Sequence, residues 1–252
     1  MSAIKAFLFD LDGTLVQTER LKALSYAKAA VQLAPSMITE EAVIEAFKEV
    51  VGRSRYEVAG YLLQKFSLEE AAAKKIATTE TESAIDAFIK IRLGFYNRMI
   101  DDPLIIQKSM WPHNIAQLYN AISDGFLTGL ATMSHRPQAM RVLDVLSIQD
   151  CFDFIATRDD VERGKPDPEI YNLVISNLKV RPKECLVFED SVSGVTAALA
   201  AGMHVIAVST PFTRTSLEQA DLLPREQLVH NPQDLQGVID HMLSEQGSQL
   251  AA

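Results

Sequence analysis

Cysteine is nearly absent: Cys151 and Cys185 are the only two among 252 residues. Two thiols cannot form the disulfide framework that staples small secreted domains. Their apolar flanks suit buried free thiols in a reducing compartment. Long apolar runs are missing too. A spanning helix needs about 20 such residues, and the longest weakly polar stretch, 197–208, is broken by Gly202 and His204. The apolar start ends at Phe9 against Asp10 and is too short for a signal peptide. No membrane partner and a cytoplasmic location are therefore expected. Positive charge is in deficit, with 24 Lys and Arg against 33 Asp and Glu and a formal net charge of −9. Broad nucleic-acid binding wants a basic surface, so no nucleic-acid partner is expected. Neither G-x-G-x-x-G nor G-x-x-x-x-G-K-[ST] occurs, which removes the usual glycine-rich nucleotide cradles. The chain also has no internal repeat, low-complexity linker or heptad run.

What is present is ordinary for a globular protein: 48% hydrophobic and 23% charged residues. The length fits one large domain or two modest ones. A short apolar run, 6–9, reads as a buried strand ending at Asp10. From about Glu19 to Met99 the periodicity is helical. Leu21, Leu24, Ala27 and Val31 share one helical face, and Thr39 precedes a second helix carrying Val43 and Phe47. Ser54 to Glu57 has the form of a capping box, Ser67 and Glu70 mark a further start, and Asp101-Asp102-Pro103 reads as a stop. After Trp111-Pro112 strands alternate with helices. Strands are expected at 126–132, 152–157, 185–189 and 204–208, with helices at 114–123, 137–146, 168–178 and 192–201. Near-continuous apolar strands between helices point to a parallel sheet covered on both faces. The expected fold is thus α/β: a Rossmann-like parallel core, 1–17 and 100–252, with a helical cap domain, 18–99, inserted after the first strand. The tail beyond Ser244 is polar and small, and is expected to fray.

Four features sit at or just after carboxyl ends of expected strands, where open α/β sheets bind ligands. Asp10 and Asp12 flank Leu11, with Gly13 permitting a sharp turn that brings both carboxyls together. Two carboxylates so close repel unless a cation or proton lies between them. Glu189-Asp190 ends another strand and offers hard oxygen ligands suited to Mg²⁺. Lys165 lies in the stiff loop Gly164-Lys165-Pro166-Asp167-Pro168, and Thr132 ends the strand containing Gly129-Leu130-Ala131. Taken singly these are commonplace: a capped turn, a helix N-cap, a solvated lysine, a strand threonine. Gathered on one rim they supply a nucleophile, a second carboxylate, a hydroxyl, an ammonium and metal ligands, which is the inventory for phosphoryl transfer through a phospho-aspartate.

In that order and spacing the chain resembles the haloacid dehalogenase superfamily of the Mg²⁺-dependent phosphatase type. Residues 7–14 match its first motif, Thr132 the second, Lys165 the third and Glu189-Asp190 the fourth. It is similar to the branch that holds β-phosphoglucomutase and the CbbY-like sugar-phosphate phosphatases. Gly164-Lys165-Pro166-Asp167-Pro168, Glu189-Asp190-Ser191-Val192-Ser193-Gly194 and Gly52-Arg53-Ser54-Arg55 carry that likeness. The resemblance implies that Asp10 attacks phosphorus while Asp12 acts as acid and then base. Thr132 and Lys165 stabilise the transferring group. It also implies that Asp10, the Asp12 carbonyl, Glu189 and Asp190 hold Mg²⁺.

In the cap, Arg55, Ser54 and Lys22 are expected to bind substrate, and in the core Ser134. Arg55 at a helix start is unfavourable by about 0.3–1 kcal/mol, which a bound phosphate would reverse. Lys90 and Arg92 are further cations on the last cap helix. Where the mutase has a histidine in the first cap helix this chain has Lys22, and where it has glycine after the proline opening the second core half this chain has His113. The expectation is a phosphatase acting on a small phosphorylated metabolite, a sugar phosphate, and working as a monomer. The alternatives are a phosphosugar mutase, a metal-independent dehalogenase, against which Asp12 and Glu189 speak, and a non-enzymatic nucleotide-binding module or inactive relative.

Overall fold

The computed structural model describes residues 4–248. Two compact units are formed, one running to Gln17 and resuming at Ile106, the other spanning Thr18–Ile105. The first unit is built on a parallel sheet of six strands in the order β3-β2-β1-β4-β5-β6. The strands are β1 (Ala6–Phe9), β2 (Leu127–Ala131), β3 (Phe154–Ala156), β4 (Cys185–Glu189), β5 (His204–Val208) and β6 (Leu228–Val229). β1 is central, pairing Phe9 with Leu130 on one side and with Phe188 on the other. From β1 the chain steps outward to β2 and β3, then crosses back to β4 and proceeds the other way. The winding therefore reverses between β1 and β4, where a doubly wound sheet opens its binding crevice.

Side chains alternate across β1 as its pleat requires. Ala6 and Leu8 face a core that includes Tyr171, Val174, Ile175, Val187, Val195 and Val205. Phe7 and Phe9 face the opposite way into an aromatic cluster. Phe9 stacks on Phe188 with centroids 4.7 Å apart, and Phe7 stacks on Phe126 at 4.7 Å. Truncating Phe9, which is completely buried, would cost about 3–5 kcal/mol.

The helices of this unit are α7 (Pro103–Ser109), which bridges the unit boundary, α8 (Pro112–Ser123), α9 (Arg136–Leu146), α10 (Glu169–Leu178), α11 (Val192–Ala200), α12 (Arg214–Ala220) and α13 (Leu235–Ser248). α10 lies close on the sheet because Gly129 has no side chain: a Cβ there would stand 2.6 Å from Val174 Cγ1.

The second unit is entirely helical: α1 (Thr18–Leu33), α2 (Glu40–Phe47), α3 (Arg55–Lys65), α4 (Glu69–Ala73), α5 (Ile76–Thr79) and α6 (Ala84–Ile100). Tyr26 of α1 packs between Phe47 of α2 and Phe88 of α6, each at 5.8 Å.

Two local expectations are corrected. A helix does start near Ser67, α4 from Glu69, but Ser67 is not its cap. It has φ +53° and closes α3: its N–H donates to Gln64 O at 3.2 Å and Leu68 N–H to Leu63 O at 2.9 Å. That is a Schellman ending with serine in the left-handed position, and buried Leu68 as its apolar partner. The stop at Asp101-Asp102-Pro103 is met, since α6 ends at Ile100 with Asp101 as its C-cap, and Pro103 then begins α7, where a missing N–H costs no hydrogen bond. The polar tail stays helical past Ser244 to Ser248, and the rest of that expectation lies outside the described residues. Cys185 is buried as expected and burial pushes its thiol up to about 12, whereas Cys151 is half-buried. Among the described residues no helix is long and apolar enough to cross a membrane.

Candidate active site

The crevice between β1 and β4 is acidic. Asp10 follows β1, its N–H donating to Phe188 O at 3.0 Å, and Glu189 ends β4. The next residue, Asp190, opens the turn into α11, whose N-cap Ser191 accepts from Gly194 N at 3.1 Å. Asp10, Glu189 and Asp190 are all buried. Each offers an oxygen, and these oxygens lie within 4.8 Å of one another.

Two glycines make this convergence possible. A Cβ on Gly13, at φ +90°, would stand 2.1 Å from Asp190 Oδ2, and one on Gly194 would stand 1.9 Å from the Glu189 carboxyl. Gly13 also needs its positive φ for the turn in which its N–H reaches Val16 O at 2.7 Å.

Lys165 is the counter-charge. Its side chain is 3% exposed and all three of its N–H donors are spent. They go to Asp10 Oδ1 at 2.7 Å, Ala131 O at 2.8 Å and Glu189 Oε1 at 2.6 Å. The two carboxylates hold the ammonium pKa above its ordinary value against burial. Glu189 accepts further bonds from Tyr171 Oη at 2.7 Å, from Asp190 N at 3.1 Å and from Ser191 Oγ at 3.1 Å. Burial and the neighbouring carboxylates hold the Tyr171 phenol well above its usual range, so it stays a donor.

Three carboxylates against one ammonium leave an excess of two negative charges. Asp10 registers it: burial, with Glu189 and Asp12 adding and Lys165 opposing, raises its pKa to about 7. A buried all-oxygen donor set with uncompensated negative charge fits a hard divalent cation such as Mg²⁺.

Asp12 faces a different set of partners. Its Oδ2 accepts from Ser134 Oγ at 2.5 Å and from Thr132 Oγ1 at 3.3 Å. Ser134 N–H donates to Thr132 Oγ1 at 3.0 Å, which directs the threonine proton toward Asp12. Thr132 is fixed by its own N–H to Ala156 O at 3.0 Å. The seven core residues singled out from sequence thus form two hydrogen-bonded groups on one rim. One joins Asp10, Lys165, Glu189 and Asp190; the other joins Asp12, Thr132 and Ser134. The Asp12 carboxylate is not among the three that converge.

Arg55, Ser54 and Lys22 lie in the helical unit. Ser54 caps α3: its Oγ accepts from Glu57 N at 3.3 Å while Glu57 Oε2 accepts from Ser54 N at 3.0 Å. Arg55 is the first residue of α3, and its carbonyl accepts from Tyr26 Oη at 3.3 Å. Lys22 stands 3.7 Å from Glu19. Arg92 is 5% exposed and its guanidinium lies 4.7 and 4.8 Å from the Tyr26 and Tyr96 ring centroids. Tyr171 was missed from sequence. A tyrosine on the apolar face of a helix carries no signal until the strand it meets is known.

The sequence model of the haloacid dehalogenase-like hydrolases matches residues 4–202. The chain is 31% identical to hexitol phosphatase A of Escherichia coli, covering 87% of this chain and 89% of that one. It is 29% identical to a phosphorylated carbohydrates phosphatase of Thermotoga maritima, over 81% and 84%. Its fold is similar to that of β-phosphoglucomutase from Clostridium difficile, with a TM-score of 0.67, 24% identity and coverage of 96% and 99%.

Proposed function

The chain belongs to the haloacid dehalogenase-like hydrolase family, and from that membership we propose that it is a Mg²⁺-dependent phosphatase of small phosphorylated metabolites, with sugar phosphates as the preferred class. The observation that carries this reading is the buried Asp10 carboxylate at the sheet's switch point, held by Lys165 beside Glu189 and Asp190. The names of the hexitol and carbohydrate phosphatases support the sugar-phosphate class.

In this reading Asp10 attacks phosphorus in line and takes up the phosphoryl group as an acyl phosphate. Lys165 offsets charge on the transferring group, and Thr132 does so when its one hydroxyl proton turns from Asp12 to a phosphoryl oxygen. Asp12 gives a proton to the departing alkoxide, then takes one from the water that hydrolyses the acyl phosphate. Ser134 holds Asp12 for both steps. Asp10, Glu189 and Asp190, with the Asp12 carbonyl, would hold Mg²⁺, which when bound screens the phosphoryl oxygens from the surrounding carboxylates. Arg55, Ser54 and Lys22 of the helical unit serve a second anionic group on the substrate.

A panel of sugar phosphates assayed for phosphate release, with Mg²⁺ and with EDTA, tests the reading. Release that stops in EDTA and returns with Mg²⁺ is expected. Full turnover in metal-free buffer would refute the mechanism. Conversion of β-glucose 1-phosphate to glucose 6-phosphate about tenfold faster than phosphate release would assign a mutase instead.

A further inference from the structure

Among the described residues Tyr171 is the largest side chain that is completely buried. Its ring belongs to the apolar core under the sheet, with Val174, Val187 and Val195. Phenylalanine would fill that volume without a polar atom. A phenol there loses its water and must find a partner. The partner is Glu189 Oε1, at 2.7 Å. Lys165 donates to that same oxygen at 2.6 Å, and its Nζ stands 5.0 Å from the Tyr171 ring centroid. One side chain therefore touches both members of the ion pair, bonding the anion through its hydroxyl and facing the cation with its ring.

Tyr171 is also rigidly tied to Lys165 along the chain. It lies in the first turn of α10, which begins just after the Lys165 loop. Glu169 at the start of α10 reaches back to accept from Glu162 N at 2.9 Å and Arg163 N at 3.0 Å. Because all three Lys165 donors are spent, a shift of Glu189 Oε1 must move the ammonium against Asp10 Oδ1.

We propose that Tyr171 is a positioning residue of the phosphoryl-transfer site: its hydroxyl fixes Glu189 Oε1 and so sets Lys165 against Asp10. The proposal rests on the phosphatase reading. Tyr171 meets no substrate, so it governs turnover and not substrate binding.

Tyr171→Phe keeps the ring and deletes one oxygen. With p-nitrophenyl phosphate and saturating Mg²⁺, kcat should fall about tenfold while KM stays within about twofold. A second arm needs neither metal nor substrate. In ¹⁵N-lysine-labelled, metal-free protein the buried Lys165 ammonium should give a protected signal, identified by its loss in Lys165→Met. In Tyr171→Phe its exchange with water should be about fivefold faster or more. An unchanged kcat, or an unmoved ammonium signal, overturns the proposal. Should Tyr171→Phe not fold, the wild type decides: the Tyr171 hydroxyl proton must be protected enough to observe, and its absence is equally fatal. A wild type that releases no phosphate from any substrate refutes the phosphatase reading instead, while the ammonium arm still reports on Tyr171.

Discussion

Loading the carboxylate cluster with Mg²⁺ should expel a proton below neutrality. In the metal-free protein burial lifts the Asp10 pKa from 3.8 to about 7, with Glu189 and Asp12 reinforcing the shift. A cation and a proton cannot share that carboxylate. One unit below such a pKa the group is about 90% protonated, and one unit above it about 10%. Mg²⁺ binding should therefore release about 0.9 proton at pH 6 and about 0.1 at pH 8, and the apparent affinity should be about tenfold weaker at the lower pH. Lys165 is not the source, because its neighbours hold its pKa up and keep it an ammonium at both pH values. The sign for stability follows from the same shift. A carboxyl whose folded pKa is raised stabilises the fold below its unfolded value, and that contribution is lost as pH rises toward 7. The metal-free protein should thus lose stability over that window, and Mg²⁺ should restore it. Isothermal calorimetry in buffers of low and high ionisation enthalpy gives the proton count directly. Release of less than about 0.2 proton at pH 6 would show that Lys165 outweighs burial and that Asp10 is already ionised. In Asp10→Asn the pH dependence should vanish.

Other outcomes are equally specific. Asp10→Asn should lower turnover about a thousandfold or more with circular dichroism unchanged, whereas Asp12→Asn should spare attack on an activated aryl phosphate and slow breakdown of the phosphoenzyme, read by a burst of the aryl alcohol. Arg55→Ala should raise KM about tenfold for a sugar bisphosphate and leave a small aryl phosphate nearly unaffected; equal losses would make Arg55 structural. Gly13→Ala meets a φ of +90° and the Asp190 carboxylate, so it should cost about 1–2 kcal/mol in backbone conformation alone, read by thermal melting, and weaken Mg²⁺ binding in calorimetry. Glu184, clasped by Lys5 and Arg181 with its pKa lowered to about 2, stabilises the fold above the ordinary carboxylate range. Glu184→Gln should lower the melting temperature at pH 7, and the difference from wild type should shrink as pH falls toward 2.

The sequence by itself marked the strands β1 to β5, the helices α8 to α11 between them, and the polar residues that gather on the rim. Apolar runs such as Ala6–Phe9 and Cys185–Glu189 carry no polar alternation and are buried along their length, which is why the sequence reads them as strands of a parallel sheet covered on both faces. Asp10, Asp12, Thr132, Lys165, Glu189 and Asp190 were legible because each falls at or just after a strand's carboxyl end, and parallel strands bring those ends to one side. Short or locally ambiguous pieces were not legible. β6 is two residues long, too short for a period, and Ser67 carries the composition of a cap yet occupies the left-handed ending of the helix before it. Tertiary structure alone decided strand order, and with it that β1 and β4 are neighbours. From that follow Asp10 beside Glu189, the spent donors of Lys165, and the division of the acidic residues into a converging trio and an Asp12 held by hydroxyls. Tyr171 belongs there as well, since local periodicity reports only that a face is apolar. Which polar atom waits on the other side depends on the register of a strand that arrives later in the chain.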